Sequence, residues 1–148
     1  MNIERIKATK GKILGVDFGD VRTGLAISDP SRLLALCCET VRAEGMSNIV
    51  TRVGDFAKDQ GAVAIIVGLP VNMDGSEGHR AERAKKFAEL LEEYTGMPVE
   101  TVDERMSTMQ ASRYLNATDT RGKKRKSAID TLSAQIILQS ALDRLKNA

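Results

Sequence analysis

The chain has 148 residues, of which 42% are hydrophobic and 28% charged, and its formal net charge is +2. That length suits one domain, residues 1–148, with a sizeable core, and that balance excludes a disordered chain. No apolar run reaches the roughly 20 residues of a membrane span, and the opening MNIERIKATKGK lacks the apolar stretch of a secretory signal, so a cytoplasmic protein without membrane contact is expected.

Residues 12–18 (KILGVDF) predict a strand. Its alternation puts Ile13, Gly15 and Asp17 on one face and Leu14, Val16 and Phe18 on the other. Residues 23–28 and 33–41 predict two more strands, joined by short links as an antiparallel meander. Over 48–60, Ile49, Val50, Val53, Phe56 and Ala57 fall at the spacing of an amphipathic helix. Residues 62–69 (AVAIIVGL) form the continuous apolar run of a strand buried on both faces. A turn-rich loop leads to a helix over about 78–95, stopped by Gly96 and Pro98. A short strand over 98–103 follows, then a short helix over 107–115 opened by Ser107 and Gln110. After a basic loop, a last helix is expected over about 127–145. The order β-β-β-α-β-α-β-α-α predicts an α/β protein with a mixed sheet and helices on its faces.

The acidic residues carry the chemistry. Asp17 sits in an apolar strand, where a carboxylate is costly unless it is paired or binds a cation. Asp103 and Glu104 end the fifth strand; either could simply pair with Arg105. Asp130 shares the stripe of Ala134, Ile137, Leu138 and Ala141. In the expected first turn of its helix it could serve only to complement the helix dipole. Carboxylates that converge are the donor set for Mg²⁺ or Mn²⁺. Five of the six residues 121–126 are basic (Arg121, Lys123, Lys124, Arg125, Lys126). They read as a solvated loop or as a phosphate-contacting one. Converging acids, a basic segment, Arg22, and glycines at 15, 19 and 24 fit metal-assisted phosphodiester hydrolysis. Cys37, Cys38 and the lone His79 are too few for a disulfide framework or a zinc site. They read as buried thiols and an exposed loop residue, and Asp74 as a turn residue.

Four motifs in order resemble those of the YqgF/RuvX family. They are the run from Gly15 through Asp17, Gly19, Arg22, Gly24 and Ala26 to Ser28-Asp29; Val67-Gly68-Leu69-Pro70 with Asp74-Gly75; Asp103-Glu104-Arg105 with Ser107-Thr108; and Lys124 to Leu138 with Lys126, Asp130, Ala134 and Ile137. The resemblance implies an RNase H-like fold, a five-stranded mixed sheet in the order 3-2-1-4-5 with helices on both faces. It implies a Mg²⁺- or Mn²⁺-dependent nuclease related to the junction resolvase RuvC. Asp17, Glu104 and Asp130 would be catalytic, and Asp17, Asp103, Glu104 and Asp130 the candidate metal ligands. Arg22, Arg105, Lys123, Lys124, Arg125 and Lys126 would hold nucleic acid. RuvC-type enzymes carry an acid at the end of the fourth strand, where this chain has Gly68-Leu69-Pro70. The second acid then comes from Asp103 or Glu104, and strand alternation turns one of them away.

The leading expectation is a nuclease that matures the 5′ end of precursor 16S ribosomal RNA, acting as a monomer or weak dimer, with nucleic acid and a ribosomal particle as partners. Two alternatives keep the fold: a resolvase of branched DNA, which needs a two-fold dimer, and a poorly catalytic ribosome assembly factor. A nucleotide-hydrolysing domain of the actin or sugar-kinase type fits less well, because that fold pairs two domains and this chain is too short for both.

Overall fold

A computed structural model describes residues 1–72, 74–103 and 122–147, with side chains from residue 129 onward in the last stretch. The elements are α1 (Ile3–Lys7), β1 (Lys12–Asp17), β2 (Arg22–Ser28), β3 (Ala35–Arg42), α2 (Met46–Asp59), β4 (Ala62–Leu69), α3 (His79–Thr95), β5 (Val99–Asp103) and α4 (Gly122–Lys146). The sheet order is β3-β2-β1-β4-β5. β1, β2 and β3 form the antiparallel meander, while β4 pairs parallel with β1 and β5 parallel with β4. The five-stranded order and the helices on both faces are those expected.

The alternation in β1 sorts the core into two layers. Leu14, Val16 and Phe18 pack with α2 and α3, through Ile49, Val53, Phe87 and Leu91. Ile13 packs on the other face with Ile66, Ile137, Leu138 and Leu142, under α4 and α1. Two glycines let α4 lie against the sheet backbone. A Cβ on Gly15 would stand 2.6 Å from the Cβ of Leu138, and one on Gly24 would stand 2.0 Å from the carbonyl oxygen of Asp130.

Three elements differ from expectation. α1 has too few residues to display a period. It is held instead by the Asn2 cap on the Arg5 N–H, by fully buried Ile6 and by the Arg5–Glu100 ion pair at 2.6 Å. β3 begins at Ala35 instead of 33, because the Asp29 carboxylate accepts the N–H groups of Leu33 (2.9 Å) and Leu34 (2.8 Å) in a turn. α4 begins at Gly122, so Lys123, Lys124, Arg125 and Lys126 lie in helical backbone and not in a loop. Lys and Arg are good helix formers, and the basic run extends the helix toward its N-terminus. The helix expected over 107–115 lies outside the described residues, as does Arg121.

Candidate active site at the junction of β1, β2 and α4

Asp17 closes β1, half-buried, on the face that α4 covers. Its antiparallel partner is Gly24. Directly opposed residues share a face, and Gly24 is the residue on which the Asp130 backbone rests. The bare glycine therefore brings the start of the sheet-facing stripe of α4 to the end of β1. The intervening hairpin is tight. The Gly19 N–H donates to Thr23 Oγ1 at 3.3 Å, the Thr23 hydroxyl donates to the Gly19 carbonyl at 3.2 Å, and a Cβ on Gly19 would meet the Arg22 carbonyl oxygen at 2.1 Å. This turn delivers Arg22 to the same corner.

Asp130 stands more than two turns into α4, where the helix dipole no longer favours a carboxylate. Its side chain is 15% exposed, and Arg22 Nε lies 3.2 Å from Oδ2. That approach gives an ion pair without hydrogen-bond alignment, since buried Oδ2 accepts no hydrogen bond. Burial pushes the Asp130 carboxyl above its ordinary range, and the positive charges of Arg22 and Arg42 oppose the shift. Ser133, one turn on and fully buried, also has a hydroxyl oxygen with no hydrogen bond.

β5 fixes the face of one of the two acids left open by the sequence, Asp103. Val99 belongs to the α2/α3 core and Val102 to the α4 core. Asp103 shares the face of Val99, lies opposite Leu69 and is exposed. The fold thus turns Asp103 away from the face of Asp17 and does not add it to the site. Glu104 and Arg105 lie outside the described residues. Gly68, one step beyond the Val16–Val67 pair, offers no acid beside Asp17. Lys123, Lys124, Arg125 and Lys126 occupy the first turns of the helix that carries Asp130.

Among the described residues no three His, Cys, Asp or Glu side chains gather closely enough to hold a metal ion. The donor chemistry still fits a hard cation. Two carboxylates reach one corner, and one of them presents a buried oxygen without a hydrogen bond. Asp17 and Asp130 would hold Mg²⁺ or Mn²⁺ there, with a further ligand from elsewhere.

Arg42 is the site residue that sequence reasoning missed. It ends β3 directly opposite Arg22, and only that register makes it a neighbour of Asp130. Asp74 accepts from the N–H (2.9 Å) and hydroxyl (2.7 Å) of Ser76 in a local turn, as expected. His79 is exposed as expected, but it opens α3 and does not lie in a loop. Cys38 is only partly buried, packed against the α2/α3 core. No helix among the described residues is long and apolar enough to cross a membrane.

Comparison with known proteins agrees with this architecture. Residues 11–144 match the family model described as "RuvX: Holliday junction resolvase". A Rhodopseudomonas palustris (strain BisA53) protein named "Putative pre-16S rRNA nuclease" is 42% identical over 135 residues, covering 91% of this chain and 83% of the relative. A protein of the same name from Caldanaerobacter subterraneus subsp. tengcongensis is 42% identical over 138 residues, covering 93% and 99%. Among solved structures, Thermus thermophilus RuvC in complex with a Holliday junction substrate superposes with a TM-score of 0.55 at 16% identity, covering 90% of this chain and 95% of that one. The Fowlpox virus resolvase in complex with Holliday junction DNA gives 0.52 at 13% identity, covering 90% and 98%. The fold is the RuvC-like form of the RNase H fold, and the chain belongs to the RuvX family.

Proposed function

We propose that residues 1–148 form one nuclease domain that hydrolyses phosphodiester bonds in structured nucleic acid with Mg²⁺ or Mn²⁺, its substrate being precursor 16S ribosomal RNA. The observation that carries this reading is that Gly24 pairs with Asp17 and also bears the Asp130 backbone, with a buried Asp130 oxygen that accepts no hydrogen bond. The name shared by the 42% identical relatives supports the RNA substrate.

In this reading Asp17, Asp130 and Glu104 are the catalytic acids. Asp103 faces away from Asp17, and Glu104 is the acid of the pair retained in this reading. A cation held there would supply a Lewis acid and an activated water. Arg22, Arg105 and the basic start of α4 (Lys123, Lys124, Arg125, Lys126) would hold phosphates and carry no sequence preference of their own.

The test is cleavage of an end-labelled precursor 16S fragment and of a four-way DNA junction, with Mg²⁺, Mn²⁺ or EDTA. We expect cation-dependent cutting of the RNA, reduced roughly a hundredfold or more in Asp17→Asn and in Asp130→Asn. Paired symmetric nicks in the junction, with the RNA intact, would replace this reading by the resolvase. Binding without cutting would replace it by the assembly factor.

A further inference from the structure

Two guanidinium groups converge on one carboxylate. Arg22 begins β2 and Arg42 ends β3, and the two stand directly opposite each other in the antiparallel ladder. They share the face of Gly24 and Asp130. Arg22 makes the ion pair with Asp130, whereas exposed Arg42 acts on Asp130 through charge. The Arg42 carbonyl in turn accepts a hydrogen bond from Arg52 Nη1 of α2 at 3.2 Å, so a third arginine leans over the same strand end.

Asp17 and Asp130 balance the charges of Arg22 and Arg42 at this corner. A divalent cation held by the two acids would leave the corner with surplus positive charge. If charge compensation of Asp130 were the whole purpose, Arg22 alone would serve. Each guanidinium also carries five N–H donors in a planar fork that matches phosphate oxygens, and the contact at Asp130 leaves most of them unused. The free donors and the exposure lie beside the proposed cleavage site, on β3 at the edge of the sheet.

We propose that Arg42, paired with Arg22, is a phosphate clamp that takes the RNA backbone beside Asp130, with Arg52 positioning the strand end that carries Arg42. This rests on the proposed nuclease function. The clamp runs from Asp130 around the edge of β3.

The experiment is fluorescence anisotropy of a labelled precursor 16S stem, with Ca²⁺ replacing the catalytic cation, across a series of KCl concentrations. The proteins are wild type, Arg42→Gln, Arg42→Lys and, as a charge-matched control at the far end of α4, Arg144→Gln. Arg42→Gln should weaken binding by about tenfold at low salt and flatten the slope of log K against log salt by roughly 0.7–0.9. Arg42→Lys should keep the slope and lose only part of the affinity, because it keeps the charge and loses the fork. Arg144→Gln should match wild type. Equal slopes for Arg42→Gln and wild type would overturn the clamp and leave the nuclease reading standing. A wild-type protein that binds no RNA would overturn both. A four-way junction in the same titration separates the sources: an Arg42→Gln effect confined to the junction would overturn the assignment to RNA. Melting curves of the two Arg42 variants should match wild type, and a Lys variant that melts normally yet binds like the Gln variant would also count against a charge clamp.

Discussion

Asp130 is held in a place that disfavours its charge. Burial raises its carboxyl pKa and Arg22 offsets only part of that. A carboxyl raised above its unfolded value binds its proton more tightly in the native state. It therefore favours folding at low pH and penalises it as pH climbs through the raised value. Asp130→Asn should accordingly raise the melting temperature of the cation-free protein at neutral pH, with the advantage fading as pH falls through the raised value and gone below about pH 4. Arg22 is a third exposed and stays hydrated when the ion pair is lost, so that loss offsets only part of the gain. Scanning calorimetry from pH 3 to 8 checks this, and a lower melting temperature at pH 7 would contradict it. Arg22 is also a rival for the same carboxylate. Arg22→Gln should tighten Mn²⁺ binding several-fold, read by electron paramagnetic resonance without any cleavage assay. At this scale Asp17 was legible, because an apolar strand rarely carries a carboxylate without purpose. Arg42 was not, because nothing in a surface arginine announces its partner until strand register is known.

Among the elements, the turn between β2 and β3 depends on one side chain. Asp29 accepts from the N–H groups of Leu33, Leu34 and Ser31 and from the Ser31 hydroxyl, and these hold its carboxyl down at about 2. A depressed carboxyl contributes stability above its unfolded pKa and loses it as pH falls toward the folded one. Asp29→Asn should therefore melt below wild type at pH 6, and the gap should close between about pH 4 and pH 2. Circular dichroism melts at those three pH values test it; a gap that stays constant would show that the charge does not matter. Gly24 is the second dependence. Gly24→Ala would set a methyl against the Asp130 carbonyl, and α4 must move away, at about 1–3 kcal/mol or more. Denaturant unfolding measures the loss, and Mn²⁺ affinity should fall with it because Asp130 moves. Periodicity revealed the longer elements because their apolar faces repeat. α1 gave too short a sample, and the start of α4 was concealed by charge that looked like a loop but is good helix former.

For the whole molecule, the strand order followed from two facts in the chain. A meander comes first, and two crossovers add β4 and β5 on the side of β1 away from β2. Right-handed crossovers leave few other arrangements. The fold was therefore legible from alternation and element order, and Asp17 and Asp130 from where their strand and helix had to face. Setting Asp103 aside needed the actual parity of β5, which Val99 and Val102 supply from opposite cores.

The sheet keeps those two cores apart, and they are unequal. Among the described residues the α2/α3 side gathers the larger set of buried apolar side chains, with Phe18 and Phe87 stacked at 4.5 Å, while α4 rests on the smaller set. The smaller layer carries Asp130. Opening of α4 alone would remove the proposed active site and spare the β1–β4 pairing and the α2/α3 layer, which is how native proteins open in separate cooperative units. Hydrogen exchange should then find the amides of α4 exchanging ahead of those in β1 and β4. On warming, cation binding should disappear while most of the secondary structure remains.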